Sequence, residues 1–225
     1  MILGTVFAIG IVGMILQAAF IIIEHKERYV PAVILKGSAS LMFVIIGIMA
    51  YGARGTSFGK LVLYGLICGA IGDILLNLRY LSKDNGQKIF LAGIAVFFAG
   101  HIMYLIALIP LSENLVISVV AGVIIAAILL TYIFHTLSVK IAFKIFGIFY
   151  IGAIVIMTAV AIGNLVALSD GFRLIFALGA VLFTVSDVVL IFNTFGDKTT
   201  FTRRIINLSC YYIAQLLIAC SVFMS

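Results

Sequence analysis

The sequence predicts an all-α membrane protein, a bundle of eight transmembrane helices. Of its residues 65% are hydrophobic and only 10% charged, well outside the usual shares for a water-soluble domain. Apolar runs of spanning length recur between short polar or turn-rich stretches, and the basic residues gather in alternate stretches. A spanning helix needs about 20 mainly apolar residues, so 225 residues with short connections accommodate about eight and leave no room for a soluble domain. Runs that are apolar all round exclude amphipathic surface helices, and the lack of alternating strands of roughly ten residues excludes an outer-membrane barrel.

Cutting at charged and turn-rich stretches gives spans near 2–23, 30–51, 61–78, 89–110, 114–134, 141–166, 172–193 and 205–224, all within one transmembrane domain, 1–225. The first run starts at Ile2 with no basic residue before it. It is too long and wrongly flanked for a cleaved signal peptide and reads as a span. Cys68, Cys210 and Cys220 lie inside apolar runs, where cysteine is a small buried hydrophobe, so neither a disulfide framework nor a metal site is expected. The formal charge of +6 comes from Lys and Arg scattered between runs rather than along one face, which argues against a nucleic-acid partner. Ten of them fall in odd-numbered loops (Lys26, Arg28; Arg79, Lys83, Lys88; Lys140, Lys144; Lys198, Arg203, Arg204), against Arg54, Lys60 and Arg173 in even ones. Cytoplasmic loops carry the basic excess, so both termini are expected on the non-cytoplasmic side.

Segments 65–76 (GLICGAIGDILL) and 179–190 (GAVLFTVSDVVL) align at a constant offset of 114, and each contains an aspartate followed by aliphatics. A repeat of four helices would make the halves parallel and put both aspartates on one side of the membrane.

Ionisable residues inside spans are the informative ones, because each costs about 2.5–3.5 kcal/mol at mid-membrane. They are Lys36, Asp73, His101 and Asp187. Arg79 and Arg173 sit at span ends, where snorkelling accounts for them. Counting rise along each helix, Asp73 and Asp187 lie roughly 9 Å inside, Lys36 roughly 12 Å and His101 roughly 20 Å. One pocket open to the cytoplasmic leaflet could reach all four. Spacing of four places Gly65, Gly69, Asp73 and Asn77 on one stripe that admits a neighbouring backbone, and Gly93, Phe97 and His101 on another with Tyr104 one turn on. Ser40 lies one turn beyond Lys36.

A lysine with one aspartate could be a buried ion pair that only fixes helix register. Two acids against one lysine leave an excess carboxylate, which favours chemistry. A lone histidine can be interhelical glue, and Asn77, Tyr104, Tyr150, Asn193 and Tyr211 are residue types that more often pack than react.

At these residues the chain resembles the YhhN-like lysoplasmalogenases, eight-helix membrane proteins. The matching segments are Ile34-Leu35-Lys36, Gly72-Asp73-Ile74-Leu75-Leu76, Gly100-His101-Ile102-Met103-Tyr104, and Gly179 to Phe183 leading to Ser186-Asp187 with Asn193 and Phe195 beyond. The family often has proline after the lysine, where this chain has Gly37. The resemblance implies hydrolysis of the vinyl ether bond of a lysophospholipid, without metal or other cofactor, to a fatty aldehyde and a glycerophospho-alcohol. It implies Asp73 and Asp187 as the catalytic pair and Lys36, His101 and Tyr104 as pocket residues. Asn77, Tyr150 and Asn193 join them as candidate substrate-binding positions. The expected partners are the lysophospholipid and membrane lipid, and the expected location is a plasma membrane, the inner membrane of a bacterium.

Two carboxylates suit that chemistry independently. A vinyl ether is protonated at carbon to give an oxocarbenium ion that water attacks, so the step needs an acid, an anion and a water, as in glycosidases. Burial and mutual repulsion favour one neutral and one charged acid. Lys36 could hold the ionised partner or meet the lipid phosphate. An intramembrane aspartyl protease also uses two aspartates, but its GxGD motif fails here by one glycine at Ala70-Ile71-Gly72-Asp73. A proton-coupled transporter is the alternative from another class. Its cue of proline-broken helices is missing, since Pro31 and Pro110 stand at span ends.

Overall fold

The computed structural model describes residues 2–138 and 141–225. Among them eight α-helices follow one another: α1 Ile2–His25, α2 Tyr29–Arg54, α3 Ser57–Leu78, α4 Gly86–Leu108, α5 Leu115–Thr136, α6 Ile141–Ala167, α7 Gly171–Phe195 and α8 Phe201–Ser221. All eight are long and apolar enough to cross a membrane. Several begin before the apolar run does, because a capping side chain takes up a free backbone N–H of the first turn. Thr56 accepts from Gly59 N, Asp170 from Arg173 N and Thr200 from Arg203 N. Hence α3 starts at Ser57 and α8 at Phe201, four residues ahead of the apolar boundaries. Pro31 stands in the first turn of α2, where its missing N–H is harmless, and α2 continues unbroken through Gly37.

The helices form two parallel halves, α1–α4 and α5–α8. In each half the third helix packs most heavily on the fourth. Across the halves, α2 meets α8 and α6 meets α4, the second helix of each against the fourth of the other. The offset of 114 predicts this correspondence down to single residues. A Cβ added at Gly65 would run into the Tyr104 ring, and one added at Gly179 would meet Ile218, each partner displaced by 114. Residues related by the offset also touch directly. Phe58 and Phe172 pack edge to face with centroids 4.8 Å apart, and Phe97 and Tyr211 do so at 5.8 Å. Equivalent residues that touch in this way lie where the two halves face each other.

Much of the lipid-facing surface is made by the first helix of each half. Leu3, Phe7, Ile11 and Ile15 of α1, and Val116, Val120, Val123 and Ile128 of α5, are exposed, as apolar side chains are where lipid replaces water as solvent. By contrast, α8 is lined with buried residues, including Tyr211, Tyr212 and Gln215. Odd-numbered loops share one end of the bundle. Lys140 lies outside the described residues. A reporter active only in the cytoplasm should therefore work when fused after Lys83 or Lys198 and fail at Ser225. The reverse pattern would invert the orientation.

Candidate active site

Lys36 projects from α2 into the bundle centre and is 1% exposed. Its Nζ lies 3.3 Å from Asp73 Oδ1, donates to Gln17 Oε1 at 3.2 Å and stands 4.5 Å from the centroid of the Tyr211 ring. One turn along α2, Ser40 Oγ donates to Asp73 Oδ2 at 2.5 Å, and from α8 Tyr211 OH donates to the same oxygen at 2.8 Å. Asp73 thus receives donors from α2 and α8 because Gly69 lets α8 come close: Gln215 fills the space beside Gly69. The network extends outward. Tyr104 OH donates to Gln215 Oε1 at 2.8 Å, and Gln215 Nε2 donates to Tyr211 OH at 3.2 Å. A hydrogen bond to a charged group contributes about 1.5–3 kcal/mol, so three such donors hold the Asp73 carboxylate in one place. Of the two roles open to Lys36, the structure shows the ion pair with Asp73.

Asp187 sits on α7, where Ser186 and Asn207 lock α7 to α8. Ser186 Oγ donates to Asn207 O at 3.0 Å, and Asn207 Nδ2 donates to Ser186 Oγ at 2.8 Å. The single side-chain hydrogen bond found for the Asp187 carboxyl among the described residues comes from Tyr150 OH to Oδ2 at 2.5 Å. Tyr150 is the residue 114 positions after Lys36, so the two halves present homologous acids in unlike settings: one beside a cation and two hydroxyls, the other beside one phenol.

Both aspartates line a single narrow cavity of about 110 Å³ together with Lys36, Asn77, Tyr150 and Tyr211. Its remaining wall is chiefly apolar and aromatic, with Phe90, Phe134, Phe143 and Phe146 on three helices. Asn77 Nδ2 donates to Asp73 O at 2.9 Å, while its Oδ1 is buried without a partner among the described residues.

His101, Tyr104 and Asn193 do not line this cavity. Phe97 lines it, and His101 lies one turn along α4 from Phe97, with Nδ1 on Phe97 O at 2.8 Å and its ring against Phe183 and Tyr150. Tyr104 reaches Asp73 only through Gln215 and Tyr211. Asn193 is occupied structurally: its Oδ1 accepts from Thr200 N at 2.8 Å, holding the turn before α8. Three contributors are not site candidates from sequence. Tyr211, which reads there as packing, and Gln215, which is not named there, lie on α8, and only knowing that α8 packs on the Asp73 face would identify them. Arg79 lines the cavity although its place at a span end has a sufficient explanation in snorkelling.

The chain matches the YhhN family over residues 31–222, a stretch that holds every residue of the cavity. It is 31% identical over 176 residues to Lysoplasmalogenase TMEM86B of Rattus norvegicus, an alignment covering 77% of this chain and 66% of the relative. To Lysoplasmalogenase TMEM86B of Sus scrofa it is 31% identical over 163 residues, covering 71% of this chain and 62% of the relative. The chain therefore spans slightly less than two thirds of the length of these curated relatives. No solved structure matches it.

Proposed function

The chain belongs to the YhhN family, and on that premise we propose that it is a metal-independent hydrolase of the vinyl ether bond of a lysophospholipid, releasing a fatty aldehyde and a glycerophospho-alcohol. The observation that carries this reading is the pair of aspartates on one cavity wall with unequal hydrogen-bond environments.

Those environments divide the labour. Asp73, held by Lys36, Ser40 and Tyr211, serves as the fixed anion. Asp187, with a single phenolic donor, serves as the acid. Its proton goes to the alkenyl carbon one removed from the ether oxygen, the π bond of the C=C supplies the electrons and is lost, and positive charge develops on the carbon bonded to oxygen. The Asp73 carboxylate stabilises that charge electrostatically, an effect that is large in a site walled from water. Water then adds to the cationic carbon and returns a proton to Asp187, giving a hemiacetal that collapses to aldehyde and free glycerol hydroxyl. Asn77, whose Oδ1 has no partner among the described residues, supplies an acceptor for the incoming water. The apolar wall around Phe134, Phe143 and Phe146 receives the first carbons of the chain.

Purified protein in detergent should release aldehyde from a lysoplasmalogen, and no release would sink the proposal. A finer test is Tyr211→Phe, which removes one donor from the anion and keeps the ring that packs on Phe97 and Phe183. Loss of a charge-assisted hydrogen bond should lower kcat roughly ten- to a hundredfold. A wild-type rate in this variant would remove Tyr211 from the site.

A further inference from the structure

A second cavity, about 460 Å³, opens at the odd-loop end of the bundle and shares Arg79, Thr194 and Arg204 with the first. Its wall is about half polar, drawn from the junction of α1 and α2 (Glu24, Glu27, Tyr29), the residues just after α3 (Arg79, Tyr80) and the turn before α8. An amphiphile with its apolar chain in the narrow cavity would have to place its polar end here. We propose that this vestibule is a headgroup site in which Arg79 binds the phosphate, and Glu27 the terminal ammonium, of a zwitterionic lysophospholipid; the choice of lipid rests on the hydrolase reading above.

Arg204 is already paired, because the Nε and Nη2 edge of its guanidinium is taken by the Glu24 carboxylate, one of the two contacts at 2.8 Å. Lys36 is likewise committed to Asp73. Arg79 differs. It lines both cavities and makes no ion pair among the described residues. It is nonetheless held in position, with its guanidinium carbon 4.5 Å from the Phe90 ring centroid and 4.6 Å from that of Tyr80, and Nη2 donating to Tyr80 OH at 2.6 Å. A stacked guanidinium with free N–H groups at the mouth of an apolar slot suits a phosphate, which it can grip with two parallel bonds.

Across the same vestibule Glu27 is the unpaired acid. It is exposed and makes no ion pair among the described residues. It is held in a left-handed turn (φ 56°) just before Tyr29, whose ring stacks on Tyr80 at 4.8 Å. Among the described residues lining the vestibule, a cation without an ion pair at the junction and an acid without one at the rim match, in order, the phosphate near the glycerol and the ammonium beyond it.

The test uses lipids without a vinyl bond, so its outcome is independent of whether the protein cleaves one. Kd is measured by titration calorimetry in detergent for three saturated 1-O-alkyl lipids: lysophosphatidylethanolamine, lysophosphatidate, which lacks the ammonium, and alkylglycerol, which lacks the phosphate as well. Arg79→Gln should weaken both phospholipids roughly tenfold or more while leaving alkylglycerol within about twofold of wild type, as loss of a charge-assisted contact requires. Glu27→Gln, at an exposed position, should lower the preference for the ethanolamine lipid over lysophosphatidate. Equal weakening of all three lipids by Arg79→Gln, or an unaltered preference in Glu27→Gln, overturns the assignment. If Arg79→Gln cannot be purified, Arg79→Lys substitutes for it: the charge remains and the two-pronged grip is lost, so weakening confined to the phospholipids supports the site and unchanged binding refutes it. Soluble glycerophosphoethanolamine that binds as tightly as its alkyl lipid would make the occupant a free phosphodiester and refute the lipid headgroup.

Discussion

Asparagine at position 73 or 187 should reduce aldehyde release by at least the roughly 10²–10⁴-fold that general acid–base catalysis supplies. Each substitution keeps side-chain shape and hydrogen-bonding capacity but removes both the transferable proton and the negative charge. Asp187→Asn removes the donor to the alkenyl carbon, and Asp73→Asn removes the anion facing the developing cation. The double variant should be little worse than either single one, because residues that act as a unit are not additive. Rates measured on purified protein decide it. If wild type cleaves the lipid and both single variants keep near-normal rates, the paired-aspartate site is wrong although the family membership stands. If the double variant loses the product of the single losses, the two carboxyls act independently and do not share one reaction.

The parts legible in sequence were those that carry a large energetic penalty. An apolar run of spanning length has few alternatives in water or in lipid, so the eight helices followed from composition and punctuation. Their starts were misplaced by a few residues, because a cap such as Thr56 or Thr200 lies in polar sequence that the apolar run excludes. Asp73 and Asp187 were legible because a carboxylate in a membrane needs a reason. What was not legible was the identity of their partners. Ser40 and Tyr211 both donate to Asp73, yet a serine or tyrosine inside a span is inexpensive and looks the same whether it packs or reacts. Arg79 was hidden differently, since its location had a complete explanation that required no ligand.

The internal repeat also reaches further than residue identity. At the offset of 114 the aspartates align, but their neighbours diverge: Lys36 corresponds to Tyr150, His101 to Gln215 and Phe97 to Tyr211. No likeness of side chains marks these pairs. They become visible only when Lys36 is seen on Asp73 and Tyr150 on Asp187. Two halves related by the offset thus present identical acids with unlike neighbours, one beside a lysine and the other beside a phenol.

Lys36→Met should have the largest effect on stability. Methionine fits the apolar stem of Lys36 but removes the only cation paired with Asp73 among the described residues, leaving Ser40 and Tyr211 as donors to an uncompensated buried charge. Removing one partner of a buried ion pair costs about 3–5 kcal/mol, most of it from the charge left behind. The combined variant Lys36→Met/Asp73→Asn removes both charges and should recover most of that loss, since a buried pair adds little net stability over neutral groups of similar shape. Gln17 loses its donor from Lys36 in both variants, so the comparison isolates the carboxylate. Thermal unfolding in detergent should show a large drop for the single variant and a melting temperature near wild type for the double, with both inactive toward the vinyl ether because neither retains the Lys36–Asp73 anion site. A double variant no more stable than Lys36→Met would mean that Lys36 serves the fold through packing against Phe20 and Tyr211. An active double variant would remove Asp73 from the mechanism altogether.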